Sequence, residues 1–315
     1  MKKRNLSLKE IFLEDERFRT SYYFSLDKLI LSIQKVGLLN PPLVALRDRH
    51  YILVSGWKRV FACLKLGLSS LSVLLLEEED ELKIFLTAFY ENLATREFSL
   101  IEKAEILSRL KKFGEKKEIT VRHYLPLLDI PSTLSHLESY SSFSGFESGT
   151  KRIIHQKNMP FSSVKLLAGF TSKEKKLLLP LLRPSGQNRM KEILEDLKEI
   201  SRRDDIAPQE ILSSKEILDI MKSEKLSPLE KVDKIRLNLR EKRYPALFSQ
   251  RKCFDSLVKK LQLPRGIAVR PSPFFEDEEL SIDFRCGNSE ELKNNLLKLQ
   301  ALASKKEFRA LFKLQ

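Results

Sequence analysis

The apolar positions of this chain change period several times, and each change marks a new element. Between residues 25 and 36, Leu26, Leu29, Ile30 and Ile33 recur at helical spacing, with Ser25 placed to cap the helix and Gly37 to end it. Asn40-Pro-Pro forces a turn into the strand Leu43-Val-Ala-Leu46. The polar run Arg47-Asp-Arg-His50 leads to a second strand, Tyr51-Ile-Leu-Val54, which predicts a hairpin. Residues 60–66 read as a helix closed by Gly67, and residues 71–76 as a third strand before the acidic run 77–81. These elements make a small α/β unit.

From Glu81 onward the period is helical. Leu82, Phe85, Leu86, Phe89 and Leu93 form one stripe, and Ile101, Ala104, Leu107 and Leu110 another that ends before Gly114. Ser99 with Glu102 three residues later has the spacing of a capping box. Residues 120–127 and 131–140 form two short helices around the turn Leu128-Asp-Ile130, which is helix-turn-helix spacing. Pro131 sits where its missing N–H costs nothing, whereas Pro126 should kink or shorten the first helix. Leu134 and Leu137 are expected to point inward. Further helices are expected at 161–168, 172–182, 190–201 and 208–221. Past Leu263-Pro-Arg-Gly266 the pattern returns to strands, at 267–270 and 280–285, and a last helix covers 289–302.

The fold class expected is α+β, in four parts. Residues 20–98 form a small α/β N-terminal domain, 99–203 an all-helical helix-turn-helix domain, 204–262 a helical linker, and 263–315 a strand-helix element suited to dimerisation. No internal repeat or low-complexity tract competes with this division.

Composition narrows the classes of function. A chain of 315 residues with 42% hydrophobic content can fill two or three cores, which excludes disorder throughout. The formal charge of +14, from 57 basic and 43 acidic residues, favours a polyanionic partner. The excess is local: residues 51–100 carry five basic and seven acidic groups, residues 151–200 eleven and five. Cys63, Cys253 and Cys286 are too few and too scattered for a disulfide framework or a four-cysteine zinc site, and fit a reducing, cytoplasmic setting. The N-terminus is basic but lacks the apolar core of a signal peptide, and no uncharged apolar run is long enough for a bilayer, so no membrane role is expected.

The candidate chemistry lies in Ile52-Leu-Val-Ser-Gly-Trp-Lys-Arg-Val-Phe-Ala-Cys-Leu-Lys-Leu-Gly67 and in Glu91-Asn92. Gly56, directly after a strand, lets backbone approach a ligand closely, and the free N–H groups of the next helix can receive phosphate oxygens. Lys58 and Arg59 add charged donors there, one a mobile point charge and the other a planar fork. Glu91 offers a hard carboxylate for Mg²⁺ beside a triphosphate, and Asn92 can donate and accept. The bland alternative is a solvated helix start and a C-cap. Trp57 suits packing or a partner surface as well as base stacking, and Phe61 suits the core.

With these residues in view, the chain resembles the ParB partition-protein family, whose N-terminal domain shares its fold with sulfiredoxin. The first box of that family resembles Gly37-Leu-Leu-Asn-Pro41. The second, Gly-Glu-Arg-Arg-x-Arg-Ala, falls on Gly56-Trp-Lys-Arg-Val-Phe-Ala62, and the third, Glu-Asn-(Leu/Ile)-Gln-Arg, on Glu91-Asn-Leu-Ala-Thr95. The resemblance implies CTP with Mg²⁺ as cofactors, loading at a centromere-like site on double-stranded DNA, closure as a sliding clamp, a homodimer, and a P-loop partition ATPase as partner. It implies a cytoplasmic protein associated with nucleoid or plasmid. Gly37, Ser55, Gly56, Lys58, Arg59, Glu91 and Asn92 would line the nucleotide site. Glu91 would hold the metal, and Asn92 would take the role linked to weak CTP hydrolysis. The chain departs from the family at Trp57, at Phe61 and at Ala94-Thr95, and Arg96, one position late, would point about 100° away from Thr95 on a continuing helix.

The second helix of a helix-turn-helix meets base edges with its first residues, here Ser132, Thr133, Ser135, His136 and Ser139. None of these is Lys or Arg, so the commonest guanine contact is missing. Lys151-Arg152, Lys157, Lys165, Lys173, Lys175 and Lys176 would supply backbone affinity. Two other functions remain open: a nucleotide-independent DNA-binding regulator, and an enzyme on the same scaffold such as a free-serine kinase or a nuclease. A sulfiredoxin activity lacks its reactive cysteine, since Trp57 and Lys58 stand in that motif.

Overall fold

A computed structural model describes residues 1–264, 266–272, 275 and 279–313. Five strands form one sheet in the order β1-β5-β3-β4-β2, comprising β1 (Lys2–Ser7), β2 (Ile11–Phe12), β3 (Leu43–Arg47), β4 (His50–Ser55) and β5 (Ser70–Leu76). The expected hairpin is β3–β4, which pairs antiparallel. Its turn residues Asp48 and Arg49 have φ of 47° and 65°, the left-handed pair that matches the twist of a two-residue hairpin loop. β5 then crosses over to lie parallel to β3. No strand is expected before residue 43, because Lys2, Lys3 and Arg4 show no apolar alternation; β1 is an exposed edge strand, where such charges discourage pairing with other chains.

The two faces of the sheet belong to different cores. On one, α1 (Asp27–Val36) and α2 (Trp57–Lys65) bury Ile33, Trp57, Val60 and Cys63 against Val44, Leu53 and Val73. On the other, Leu43, Ala45, Ile52 and Val54 meet Ile84, Phe85, Ala88 and Phe89 of α3 (Glu81–Leu93). That second core runs on through α4 (Leu100–Lys112) and the following helices as far as Leu239. α1 opens at Asp27 with Leu26 as N-cap rather than Ser25, whose hydroxyl donates to the Asp27 carboxylate at 2.8 Å.

The two short helices expected around residues 128–130 form, with two changes. The first helix is α5 (Lys117–Ile119), a π turn (Thr120–Tyr124) and α6 (Leu125–Leu127) in succession, so Pro126 sits at the second position after a wide turn instead of kinking an α-helix. Asp129 turns the chain with φ of 52°. The second helix, α7 (Leu134–Ser144), starts three residues later than expected, because the Thr133 side chain accepts from the His136 N–H and caps it there. Pro131 and Ser132 therefore precede the helix. Leu134 is also corrected: it is 52% exposed, and the inward stripe begins at Leu137 and continues through Tyr140 and Phe143.

α8 (Ser148–Gln156) occupies a stretch the sequence reading treated as a basic run, while α9 (Phe161–Ala168) and α10 (Ser172–Leu182) keep their expected bounds. α11 (Gln187–Asp204) is longer than expected, and the helix expected at 208–221 is split at Ser213-Ser214 into α12 (Pro208–Leu212) and α13 (Lys215–Lys222). α14 (Pro228–Arg243) and α15 (Pro245–Leu261) follow. Phe254 and Leu261 of α15 share a core with the antiparallel strands β6 (Ile267–Pro271) and β7 (Leu280–Phe284) and with α16 (Ser289–Ala303) and α17 (Lys306–Phe312). Arg265, within the expected boundary at 263–266, lies outside the described residues.

The expected capping box of α4 is present, and it does more than cap. Glu102 is 3% exposed and accepts from the backbone N–H of Ser99 at 2.9 Å, from that of Tyr22 at 3.0 Å, and from Arg96 Nη1 at 3.0 Å. Burial opposes its ionisation, but the Arg96 charge and the two N–H donors outweigh it and hold the carboxyl below its ordinary value. A carboxylate with a lowered folded pKa adds stability above its unfolded pKa and loses it as pH falls through the folded value. Glu102→Gln should therefore destabilise the protein by about 3 kcal/mol at neutral pH. In urea titrations the gap to wild type should close below about pH 4, and a gap that ignores pH would contradict this account.

Candidate functional site

β4 ends at Ser55, and Gly56 reverses the chain into α2 with φ of 98° and ψ of 21°. A side chain there would be both strained and blocked, since a Cβ would lie 2.7 Å from Pro42 Cβ. No side chain caps the first turn of α2, which leaves its leading N–H groups to solvent or a ligand.

Arg59, in that first turn, draws three chain segments together. Its Nη1 donates to the carbonyls of Asn40 and Pro41, both at 3.0 Å, and its Nη2 donates to Glu91 Oε1 at 3.0 Å. Glu91 Oε2 accepts from the Ser55 hydroxyl and, at 3.3 Å, from Asn92 Nδ2. Asn92 Nδ2 also donates to the Ala88 carbonyl at 2.8 Å and to Ser55 Oγ at 3.4 Å. Ser55, Gly56, Arg59, Glu91 and Asn92 thus meet at one place, between the ends of β4 and α3 and the start of α2.

Two expected members, Gly37 and Lys58, make no hydrogen bond to this cluster. Gly37 caps α1, its N–H donating to the Ile33 carbonyl at 2.9 Å, and a Cβ on it would meet nothing within 4 Å. Lys58 lies over the Phe24 ring at 5.6 Å, with no carboxylate in ion-pair range among the described residues. Partial desolvation, and then the nearby Arg96 charge, hold its ammonium below the ordinary lysine value. Glu102 offsets this in part, and an anion placed beside Lys58 would be favoured.

α3 ends at Leu93, but the backbone stays wound one turn further, the Ala94 and Arg96 N–H groups donating to the Tyr90 and Asn92 carbonyls at 3.1 and 3.0 Å, so Arg96 lies beside Asn92, four residues back. Arg96 Nε donates to Asn92 Oδ1 at 3.1 Å, and its ring-facing side lies over Phe98 at 4.6 Å. Arg96 and Glu102 are site residues the sequence reading missed; the capping-box spacing of Glu102 was the one signal, and it read as local. Thr95 turns its hydroxyl onto the Glu91 and Asn92 carbonyls, both at 3.2 Å. Trp57 is buried, and its indole N–H has no hydrogen-bond partner among the described residues. Phe61 packs 6.1 Å from the Trp57 ring and 6.0 Å from Phe24.

No group of three or more His, Cys, Asp or Glu that could hold a metal occurs among the described residues. A cation at Glu91 would rely on that single carboxylate and on oxygens of the ligand. Mg²⁺ beside a triphosphate is commonly held in that way, so the donor set fits it.

The residues expected to meet DNA divide on and around α7. Ser132 and Ser135 are exposed. Thr133 is spent on the cap, with its hydroxyl 2.8 Å from His136 Nδ1, and the His136 ring stacks on Phe161 at 5.2 Å. Ser139 donates back to the Ser135 carbonyl at 2.8 Å. Lys151 is turned inward, donating to Glu105 Oε1 at 2.6 Å on the wall of a cavity of about 260 Å³ that Arg19, Thr20, Tyr22, Glu102 and Arg109 also line. Arg152, Lys165 and Lys173 are exposed without a carboxylate in ion-pair range among the described residues, whereas Lys176 pairs with Glu147 at 3.2 Å and Lys175 lies over Phe146 at 4.7 Å.

Neither a protein-family model nor any curated protein matches the chain. Among solved structures, the C-terminally truncated chromosome-partitioning protein ParB from Caulobacter crescentus complexed with CTP-gamma-S is 17% identical, with a TM-score of 0.28, over 58% of this chain and 99% of that one. The same protein complexed to the centromeric parS site is 14% identical, with a TM-score of 0.33, over 61% and 98%. The C2221 form of a Pnob8-like ParB-N domain is 15% identical, with a TM-score of 0.34, over 74% and 97%.

Because Gly56 is both left-handed and pressed against Pro42, Gly56→Ala should cost about 3 kcal/mol of stability. Gly37→Ala, left-handed but in open space, should cost about 1 kcal/mol. Equilibrium denaturation of the two variants checks the contrast, and equal losses would show that the contact with Pro42 is unimportant.

Proposed function

We propose that the protein is a ParB-like DNA-binding protein whose site at Gly56, Arg59, Glu91 and Asn92 binds CTP with Mg²⁺ and thereby governs how it holds DNA. The observation that carries this reading is the convergence of three separate motifs. Arg59 bonds the carbonyls of the Gly37–Pro41 box and the carboxylate of the Glu91-Asn92 box from within the Gly56–Ala62 box.

The chemistry follows from how these groups satisfy each other. Arg59 and Glu91 form an ion pair at 3.0 Å whose side chains are 21% and 43% exposed, and such a pair is worth about 1 kcal/mol or less. A triphosphate brings more charge than one carboxylate and can take the fork of Arg59 from it. Mg²⁺ would supply the positive charge that lets Glu91 face those phosphates without repulsion. The uncapped N–H groups of α2 and the poorly compensated Lys58 would hold the remaining oxygens. Ser55 and Asn92 would keep the carboxylate in place.

DNA would meet Ser132 and Ser135 at the start of α7, with Arg152, Lys165 and Lys173 on phosphates. The site and the helix-turn-helix share one continuous core, so a nucleotide that prefers one arrangement of the first can bias the second. In this reading the working form is a homodimer that closes on centromere-like DNA and slides, partnered by a P-loop ATPase. A second reading, a DNA-binding regulator without nucleotide, is favoured by one observation: Arg59 and Glu91 already satisfy each other while Trp57 and Thr95 turn away.

Calorimetry with each of the four triphosphates, with and without Mg²⁺ and DNA, separates the two. CTP should bind with Mg²⁺, Arg59→Ala should weaken it at least about 30-fold, or about 2 kcal/mol, and Glu91→Gln should remove the Mg²⁺ requirement. Absence of binding for every triphosphate would establish the regulator. In either case Arg152→Ala should weaken DNA binding alike for all sequences and lower the salt slope by about 1, as read by anisotropy over a salt series.

A further inference from the structure

The amide of Asn92 has the same shape in either orientation, yet its surroundings accept only one. Three acceptors face one end: the Ala88 carbonyl at 2.8 Å, Glu91 Oε2 at 3.3 Å and Ser55 Oγ at 3.4 Å. A donor faces the other, Arg96 Nε at 3.1 Å. Reversing the amide would set its oxygen against a carboxylate and a carbonyl, and its NH₂ against a guanidinium. Arg96 cannot drift to relieve the conflict. Its Nη1 donates to both oxygens of Glu102 at 3.0 Å, its Nη2 donates to the Thr20 carbonyl at 3.3 Å, and its guanidinium lies over Phe98. Glu102 is itself fixed by the N–H groups of Ser99 and Tyr22.

We propose that Arg96 is the positioning residue of this site, fixing the Asn92 amide so that its NH₂ braces the Glu91 carboxylate, with buried Glu102 as the anchor behind it. The inference rests on the nucleotide reading only for its consequence, because the bracing itself exists without ligand. Thr95, in the position where the resembled motif carries arginine, bonds only to the carbonyls of its own helix. Arg96 acts from the side, through Asn92, and touches no ligand itself. Loss of the brace would leave the Glu91 carboxylate held by Ser55 alone once a ligand takes Arg59, which harms the ordered geometry a small hard cation requires more than it harms phosphate binding at α2.

The test has two arms. In protein labelled with ¹⁵N-asparagine, the Asn92 side-chain NH₂ signal, identified by its loss in Asn92→Asp, should shift and exchange faster with solvent in Arg96→Gln, while signals of asparagines outside the site stay in place. Arg96→Lys keeps the charge but not the Nε donor, and should show the same change with less effect on thermal stability. An Asn92 signal unmoved by either variant overturns the proposal, whatever the protein binds. In the second arm, Mg²⁺ is titrated at fixed CTP: Arg96→Gln should raise the Mg²⁺ needed for half-saturation about 10-fold and change metal-free CTP binding less than 2-fold, about 0.4 kcal/mol. Equal weakening with and without Mg²⁺ would make Arg96 merely structural. If wild type binds no CTP, the nucleotide reading fails and the first arm alone decides.

Discussion

Burying one carboxylate, Glu102, ties three separate segments of this molecule together. An ionised group at 3% exposure is tolerable only if donors surround it, and here they come from three places: the start of α4, the segment before α1, and the chain just after α3. Each of these segments is thereby fixed against the others. The loop at residues 20–22 cannot swing from α4 without leaving the carboxylate short of a partner, and Arg96 cannot swing without leaving its charge unpaired. The geometry of Asn92 and Glu91, one step further out, inherits that rigidity.

The site itself is held by opposed demands of a different kind. Ser55, Glu91 and Asn92 close a ring of donors and acceptors, and Arg59 joins it at Glu91, so these side chains are ordered before anything enters. Ordering in advance reduces the entropy lost on binding, but it also means a ligand must replace good contacts with better ones. Only a ligand richer in negative charge than a carboxylate gains by displacing Glu91 from Arg59. Under the proposed function the cluster would discriminate by charge, beside the left-handed turn at Gly56 that is closed against Pro42.

Much of the fold was legible because period and punctuation agreed. The β3–β4 hairpin, β5, α3, α9, α10 and the Ser99–Glu102 box follow from apolar spacing bounded by polar turns and caps. What failed to show was structure that local sequence does not determine. β1 is a strand because β5 offers it an edge, and its basic residues carry no hint of that. The start of α7 depended on whether Thr133 or Pro131 opened the helix, and a side-chain bond to the His136 N–H decided it. In the site, the glycine, the arginine and the carboxylate were readable as types at a spacing. The contacts of Arg96 were not, since they arise only where α3 ends and Glu102, six positions beyond Arg96, is buried against it.

The wide turn at Thr120–Tyr124 has a further consequence. A π turn admits one residue more than an α turn, so it acts as a phase shift of about 100° between the elements on either side. Lys117, ahead of it, faces Glu138 of α7 at 3.6 Å, while Leu125 and Leu128, after it, both enter the core. A straight α-helix of the same sequence would bring one of these faces into place only by turning the other away. The spare residue lets one short segment address two surfaces that are out of phase.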